Sequence, residues 1–127
     1  MEKFPQSHIQ HIVKCIDATR KHNYGYIFNA PVDYVALNIP DYPRVIKRPM
    51  DLQTLRQNVI DKKYEDLSGF LKESALIWEN CRTYNGMNQD GYYFKASNDI
   101  EKYFIQQLSK FKDEGFNVSW PMYKVLL

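Results

Sequence analysis

The chain has 127 residues, of which 44% are hydrophobic and 25% are charged, as is typical of one soluble globular domain and not of a disordered segment. Seventeen basic and fifteen acidic side chains leave a formal net charge of +2, which neither requires nor excludes a nucleic-acid partner. No apolar run approaches the roughly 20 residues that a membrane-spanning helix needs, and the first residues do not follow the pattern of a signal peptide.

The residues that could carry catalytic or metal chemistry form no recognised motif. Cys15 and Cys81 lie far apart, so reduced thiols are expected rather than a disulfide framework or a zinc finger. His8, His11 and Cys15 could share one helical face, but a metal would need a further ligand, and a solvated patch explains the spacing better. Hydrolase, metalloprotease and nucleotide-binding motifs are absent from the sequence. We therefore predict a protein that is not an enzyme and needs no cofactor or metal.

Apolar residues recur at helical spacing along most of the chain. The first predicted helix covers residues 6–24 and stops before Gly25. Its apolar stripe consists of Ile9, Ile12, Val13 and Ile16.

Residues 25–50 interrupt the helical pattern. This segment contains four prolines, and a helix cannot run through them because each removes a hydrogen-bond donor and clashes with the preceding turn. The segment is nevertheless rich in apolar residues, so it must pack on the rest of the protein. Long packed loops of this kind are usually functional.

Three further helices are predicted over residues 51–62, 66–84 and 92–112, with Asp51 and Asp66 as N-caps of the first two. A loop over 85–91 is dense in turn-forming residues. The tail 113–127, with Trp120-Pro121, is expected to dock on the helices or to lead into the rest of a longer protein. Four amphipathic helices without a strand pattern predict an all-α, up-and-down four-helix bundle.

In such a bundle the first and third loops meet at the same end, and they would enclose a largely apolar cleft. Its expected lining is Phe28, Val32, Leu37, Ile39 and Tyr42, with Tyr84 and Asn85 at the opposite rim. An apolar cleft with one directional amide suits a neutral ligand.

Three motifs give the sequence a specific resemblance to the bromodomain family. They are Pro-Asp-Tyr at 40–42, Ile-Lys-Arg-Pro-Met-Asp-Leu at 46–52 and Asn-Cys-Arg-Thr-Tyr-Asn at 80–85. The resemblance covers about residues 7–111 and implies one bromodomain over 1–112. It implies a left-handed bundle with a long first (ZA) loop over 25–50 and third (BC) loop over 85–91, and a module that reads N-acetyl-lysine.

The resemblance also implies the roles of individual pocket residues. Asn85 is expected to donate its side-chain amide to the acetyl carbonyl, and Tyr42 to reach that carbonyl through an ordered water. The other expected pocket residues are Val32, Leu37 and Ile39 as one wall, Phe28 beside the acetyl methyl, Tyr84 as a residue that helps to shape the pocket, and Cys81 facing its base.

Tyr93 is predicted to be the gatekeeper at the pocket entrance. The helical register counted back from Ile100 favours Tyr93, whereas the length of the preceding loop favours Tyr92. The family often carries Trp-Pro-Phe where this chain has Tyr-Ile-Phe at 26–28, and many members have an aromatic residue at the position of Pro43. The usual peptide preferences are therefore in doubt.

Other residues of the matched motifs are expected to be structural. Pro49 and Asp51 would end the loop and cap the next helix, Asp41 would anchor the backbone of its own loop, and Asn80 would satisfy loop carbonyls.

The expected partners are acetylated histone tails and other acetylated nuclear proteins. The domain is expected to be monomeric, without a membrane partner, in the nucleus and as part of a larger regulator, and weak DNA contact is left open. The alternative function is binding of DNA or another protein through the last helix, where the lysines at 95, 102, 110 and 112 follow aromatic residues. Acidic residues on the same helix weaken that alternative.

Overall fold

The computed structural model describes residues 6–86 and 91–110 and contains six helices within these ranges. Four are long: α1 (Gln6–Arg20), α4 (Leu52–Ile60), α5 (Leu67–Tyr84) and α6 (Tyr92–Ser109). Two are short: α2 (Gly25–Phe28) and α3 (Tyr42–Val45). The described residues contain no strand, so the predicted all-α class is confirmed. The predicted docking of the tail 113–127 and the middle of the predicted third loop lie outside the described residues.

The four long helices pack as a closed ring. Helix α1 contacts α4 and α6, and α5 contacts the same two helices from the other side. The predicted four-helix bundle is thereby confirmed. Its largest fully buried side chains include Trp78, Phe70 and Phe104. The Trp78 ring lies 5.7 Å from that of Phe104 and 5.3 Å from that of Phe28, so it joins the core to α2.

Two aspartates cap long helices, as predicted. Asp51 Oδ2 accepts a hydrogen bond from the Thr54 amide at 2.9 Å, and Asp66 Oδ1 accepts from the Gly69 amide at 2.8 Å. Each carboxylate satisfies an amide of the first helical turn that has no partner inside the helix.

Helix α1 ends at Arg20, four residues before the predicted end at residue 24. The Tyr24 amide donates to His22 Nδ1 instead of to the Arg20 carbonyl, which accepts from the Asn29 side chain at 3.2 Å. Gly25 then lies against the end of α1, because an added Cβ would stand 2.2 Å from the Arg20 carbonyl oxygen. Gly25 is the first residue of α2, and a residue with a side chain would not fit at this position.

The predicted starts at residues 6 and 92 and the predicted end at residue 84 match the structure, whereas four other predicted boundaries are too wide by one to three residues. Helix α4 ends at Ile60 instead of residue 62, where Lys62 has a φ of 58° and cannot continue a right-handed helix. Helix α6 ends at Ser109, before the predicted residue 112. The predicted loop 25–50 also contains α2 and α3. Pro43 is tolerated in α3 because it lies in the first turn, where its missing N–H is not needed.

A buried ion pair joins α5 to α6. Arg82 Nη1 lies 3.1 Å from Glu101 Oε1, and the two side chains are 8% and 0% exposed. The same nitrogen donates to Asn98 Oδ1 at 2.9 Å. In the described part of the chain, every helix is too short or too polar to cross a bilayer.

Candidate binding site

A cavity of about 420 Å³ opens at the end of the bundle where α5 ends and α6 begins. Nine of its lining residues are those predicted from the sequence: Phe28, Val32, Leu37, Ile39, Tyr42, Cys81, Tyr84, Asn85 and Tyr93. The other six are Tyr26, Ile27, Ala30, Met50, Asp51 and Ile77. Most of these side chains are aliphatic or aromatic, so the cavity suits a ligand with an apolar body.

One wall of the cavity comes from the segment between α2 and α3. The Leu37 amide donates to the Asp33 carbonyl at 3.0 Å, and the Ile39 amide donates to the Tyr34 carbonyl at 2.9 Å. Asn38 between them has a φ of 57°, in the left-handed region that asparagine tolerates better than most residues. These bonds build a compact turn that places Leu37 and Ile39 on the cavity wall.

Tyr42 and Tyr84 join the first loop to α5. Tyr42 is buried, and its ring lies 5.0 Å from that of Tyr84. The Tyr84 hydroxyl donates to Asp41 Oδ1 at 2.6 Å, and this hydrogen bond raises the pKa of Tyr84. Burial raises the pKa of Tyr42. Both phenols therefore keep their protons at neutral pH.

The prediction that Asp41 anchors its own loop backbone is wrong. Its side chain makes no capping hydrogen bond to the amides of α3. It accepts instead from Tyr84, 43 residues further along the chain, in the short bond expected between a hydroxyl and a carboxylate.

Asn85 is both the C-cap of α5 and a cavity residue. Its backbone amide and its side-chain Nδ2 donate to the Cys81 carbonyl at 3.1 and 2.8 Å. Nδ2 also lies 3.8 Å from Cys81 Sγ, which is a weak acceptor. Since the amide carries two hydrogens, a carbonyl entering the cavity would be a better partner for the second one than this thiol.

Cys81 contributes a half-buried thiol to the cavity. Its Sγ lies 3.8 Å from the Tyr93 carbonyl oxygen. Burial raises the pKa of Cys81 to about 11, so the side chain is a neutral thiol at pH 7. The sulfur therefore acts as a small apolar surface in this site.

Of the two candidate gatekeepers, Tyr93 lines the cavity. Tyr92 lies beside it, with its ring edge-on at 5.4 Å, and its hydroxyl is hydrogen bonded to that of Tyr26. Both tyrosines are exposed, at 53% for Tyr92 and 45% for Tyr93, so neither packs in the core.

Asn80 supports the first loop from outside the cavity lining, and several lining residues were not predicted. Asn80 Nδ2 donates to the Arg48 carbonyl at 2.8 Å, which confirms that Asn80 satisfies a loop carbonyl. Ile77 lies four residues before Cys81 and eight before Asn85, and this helical repeat could have identified it as a lining residue. Asp51 was predicted only as a cap, and Met50 and Ala30 carried no comparable signal.

Comparisons with known proteins place the chain in a family. A family model described as Bromodomain matches residues 12–99. The chain is 30% identical over 117 residues to the nucleosome-remodeling factor subunit NURF301 of Drosophila melanogaster. This alignment covers 92% of this chain and 4% of that protein. The chain is 35% identical over 101 residues to transcription factor GTE7 of Arabidopsis thaliana, covering 78% of this chain and 17% of that protein.

A third relative also matches in structure. Bromodomain-containing factor 1 of Candida albicans is 38% identical over 78 residues, covering 61% of this chain and 11% of that protein. Its second bromodomain, solved unbound, superposes with a TM-score of 0.73 at 29% identity, covering 82% of this chain and 97% of that one. The same domain bound to an imidazopyridine gives a TM-score of 0.74.

The chain spans less than a fifth of the length of each of these three curated relatives. The match to the family model nevertheless extends from the middle of α1 to the middle of α6 and includes the whole cavity. The chain therefore belongs to the bromodomain family.

Proposed function

We propose that this chain is a non-catalytic module that binds N-acetyl-lysine, most of all on histone tails. Bromodomains generally read acetyl-lysine. The observation that carries the proposal for this chain is the Asn85 amide at a largely apolar cavity, beside the buried ring of Tyr42. In this proposal Asn85 donates to the acetyl carbonyl and the Tyr42 hydroxyl reaches the same carbonyl through a water.

The cavity would accept the acetylated side chain and reject the free lysine for two reasons. An ammonium group would lose its hydration there, at a cost of several kcal/mol unless a carboxylate compensates it. Among the described lining residues the acidic side chain is Asp51, and its two oxygens already accept from the Thr54 amide and hydroxyl at 2.9 and 2.6 Å. An ammonium also offers no acceptor to Asn85, which would add about 1–3 kcal/mol.

The remaining lining residues would hold the apolar part of the ligand. Phe28 would flank the acetyl methyl, Val32, Leu37 and Ile39 would pack along the lysine methylenes, and Tyr93 would narrow the entrance. Leu37 is 62% exposed, so it has apolar surface to bury against a bound peptide.

Calorimetric titration with acetylated and unmodified histone-tail peptides tests this proposal. The wild type is expected to bind acetylated peptides with a Kd that is roughly micromolar or weaker, because one short side chain supplies little free energy beyond the cost of association. Asn85→Ala is expected to weaken binding about tenfold or more, since the acetyl carbonyl would lose its donor. Thr83→Ala is the matched control, because Thr83 is exposed and lies outside the cavity lining.

Binding that ignores the acetyl group and survives Asn85→Ala would contradict the proposal. If such binding also weakened steeply with salt, it would favour the alternative of a DNA or protein surface on the last helix.

We further propose that the module acts at chromatin in the nucleus, on histones and on other acetylated nuclear proteins. The names of two relatives, a nucleosome-remodeling factor subunit and a transcription factor, support this assignment. Fluorescence microscopy of the tagged protein after deacetylase inhibition tests it, with increased chromatin retention as the expected result.

A further inference from the structure

Four tyrosines form a connected cluster beside the cavity mouth, which we call the tyrosine rim: Tyr24, Tyr26, Tyr92 and Tyr93. The Tyr24 ring lies 5.8 Å from that of Tyr92, and the Tyr92 ring lies 5.4 Å from that of Tyr93, both pairs close to edge-on. The hydroxyls of Tyr26 and Tyr92 are hydrogen bonded to each other. The rim therefore ties α2 and the segment before it to the start of α6.

The tyrosine rim is both exposed and adjacent to the proposed ligand. Tyr26, Tyr92 and Tyr93 are 68%, 53% and 45% exposed, although their contacts with one another restrain the rings. Tyr26 and Tyr93 line the cavity. A peptide whose acetyl-lysine enters the cavity would therefore have these two exposed side chains within reach of its flanking residues.

The chemistry of the rim favours a cation. The face of an aromatic ring carries negative potential and attracts ammonium and guanidinium groups, and the phenol oxygens add hydrogen-bond acceptors. The described first turn of α6, which carries Tyr92 and Tyr93, has no acidic side chain. The hydrogen bond to Tyr26 raises the pKa of Tyr92 to about 12, so Tyr92 is a neutral phenol at pH 7.

We propose that the tyrosine rim binds the side chain of an unmodified arginine or lysine that lies within three residues of the acetyl-lysine. Consecutive Cα atoms are about 3.8 Å apart, so a residue three positions away remains within about 11 Å of the acetyl-lysine Cα. Arginine is the preferred cation because its planar guanidinium stacks on aromatic faces. This inference rests on the proposed function. It defines the target class as peptides in which an acetyl-lysine lies within three residues of an unmodified arginine or lysine.

Matched peptides test the inference directly. Each peptide carries one acetyl-lysine among neutral residues and either one arginine or its neutral isostere citrulline, placed at each position from −3 to +3. The readout is the ratio of the citrulline Kd to the arginine Kd, in which any change common to both peptides cancels. The wild type is expected to prefer arginine about two- to fivefold at one or more positions, as an exposed cation–π contact would give.

Two substitutions of Tyr26 separate the ring from its hydroxyl. Tyr26→Phe keeps the ring and loses the bond to Tyr92, and it is expected to retain the arginine preference. Tyr26→Leu keeps apolar bulk without a ring and is expected to bring the ratio close to one. The matched control is Tyr34→Leu, because Tyr34 is 41% exposed but does not line the cavity, and it is expected to leave the ratio unchanged.

The outcomes distinguish this inference from the function on which it rests. Acetyl-dependent binding with a ratio of one at every position would overturn the inference and leave the proposed function standing. A ratio that persists in Tyr26→Leu, or that disappears equally in Tyr26→Phe, would overturn the assignment of the cation to the ring face of Tyr26. Absence of acetyl-dependent binding in the wild type would overturn the proposed function and the inference together. Thermal melts of each variant verify that the bundle has folded.

Discussion

Asn85 is held in place before any ligand arrives. Its side-chain amide donates to the Cys81 carbonyl at 2.8 Å, and its backbone caps the same carbonyl. A side chain that is already ordered loses less conformational entropy when it binds. The capping role of Asn85 is therefore compatible with its proposed ligand role, and it supports that proposal.

At the same scale, Cys81 can report whether a ligand enters the cavity. Its pKa of about 11 leaves a thiolate fraction on the order of one in a thousand at pH 8, so alkylation by iodoacetamide is expected to be slow. The rate should rise about tenfold per pH unit up to that pKa, and an acetylated peptide should slow it by covering the thiol. Mass spectrometry of proteolytic fragments measures the labelling at each cysteine.

Cys15 is the internal control for this experiment. It is 2% exposed and burial raises its pKa to about 12, so it should stay unlabelled while the protein is folded. Labelling of Cys15 as fast as Cys81, or no protection of Cys81 by a peptide that calorimetry shows to bind, would contradict the described placement of the two thiols.

At the scale of elements, α2 depends on a glycine at position 25. A Cβ there would lie 2.2 Å from the Arg20 carbonyl oxygen and 2.8 Å from its carbon, and neither backbone atom can move without displacing the end of α1. Gly25→Ala is expected to lower the free energy of unfolding by about 1–3 kcal/mol, as overpacking generally does. It should also weaken peptide binding, because α2 carries Phe28 into the cavity.

Gly69→Ala is the control for that substitution, with urea denaturation as the measurement. The added Cβ would lie 3.5 Å from Asp66 Oδ1, an ordinary contact, and alanine is the better helix former by up to about 1 kcal/mol. The free energy of unfolding should stay unchanged or rise. Equal effects of the two substitutions would refute the steric account of Gly25.

The long helices were predictable because their evidence is local. Apolar residues at helical spacing and the capping aspartates Asp51 and Asp66 lie within each helix or beside it. The end of α1 was not predictable in this way, since it depends on the Asn29 side chain nine residues beyond the Arg20 carbonyl. A periodic pattern does not register a hydrogen bond of that range.

In the candidate site, too, the features with local sequence evidence were predicted and the contacts between distant residues were not. The nine predicted lining residues followed from motifs and loop placement, and the structure brings them to one cavity, although their role towards a ligand stays a prediction. The partner of Asp41 was missed because Tyr84 lies 43 residues away and reaches it only in the folded bundle. The tyrosine rim was missed for the same reason, since its members come from two distant segments.

At the scale of the whole molecule, the core and the site share their central side chain. Trp78 is fully buried and contacts both Phe104 in the core and Phe28 beside the cavity. Changes in global stability are therefore expected to reach the site, so binding measurements on variants need parallel unfolding data.

Global stability is expected to fall in alkali through Cys15. Burial raises the pKa of this thiol from 9.0 to about 12, so between these values the unfolded chain has released a proton that the folded chain retains. The contribution of Cys15 to stability is therefore complete below pH 9 and is lost as the pH rises towards 12. Over this range the wild type should lose up to about 1.4 kcal/mol more per pH unit than Cys15→Ala.

Urea denaturation of both proteins from pH 8 to the highest pH at which they stay folded measures that difference. Tyrosines and lysines also titrate in this range, but their contribution is common to both proteins and cancels in the comparison. Parallel curves for the two proteins would show that the Cys15 thiol is not desolvated in the folded state.

The buried Arg82–Glu101 pair limits how α5 and α6 can slide along each other. A shift of one helical turn, about 5.4 Å, would separate the two charges inside the bundle, and breaking such a pair costs about 3–5 kcal/mol. Arg82 lies one turn before Asn85, and Glu101 lies about two turns after Tyr93 on the facing helix. The pair therefore links the relative position of α5 and α6 to the positions of Asn85 and Tyr93, although it lies outside the cavity lining.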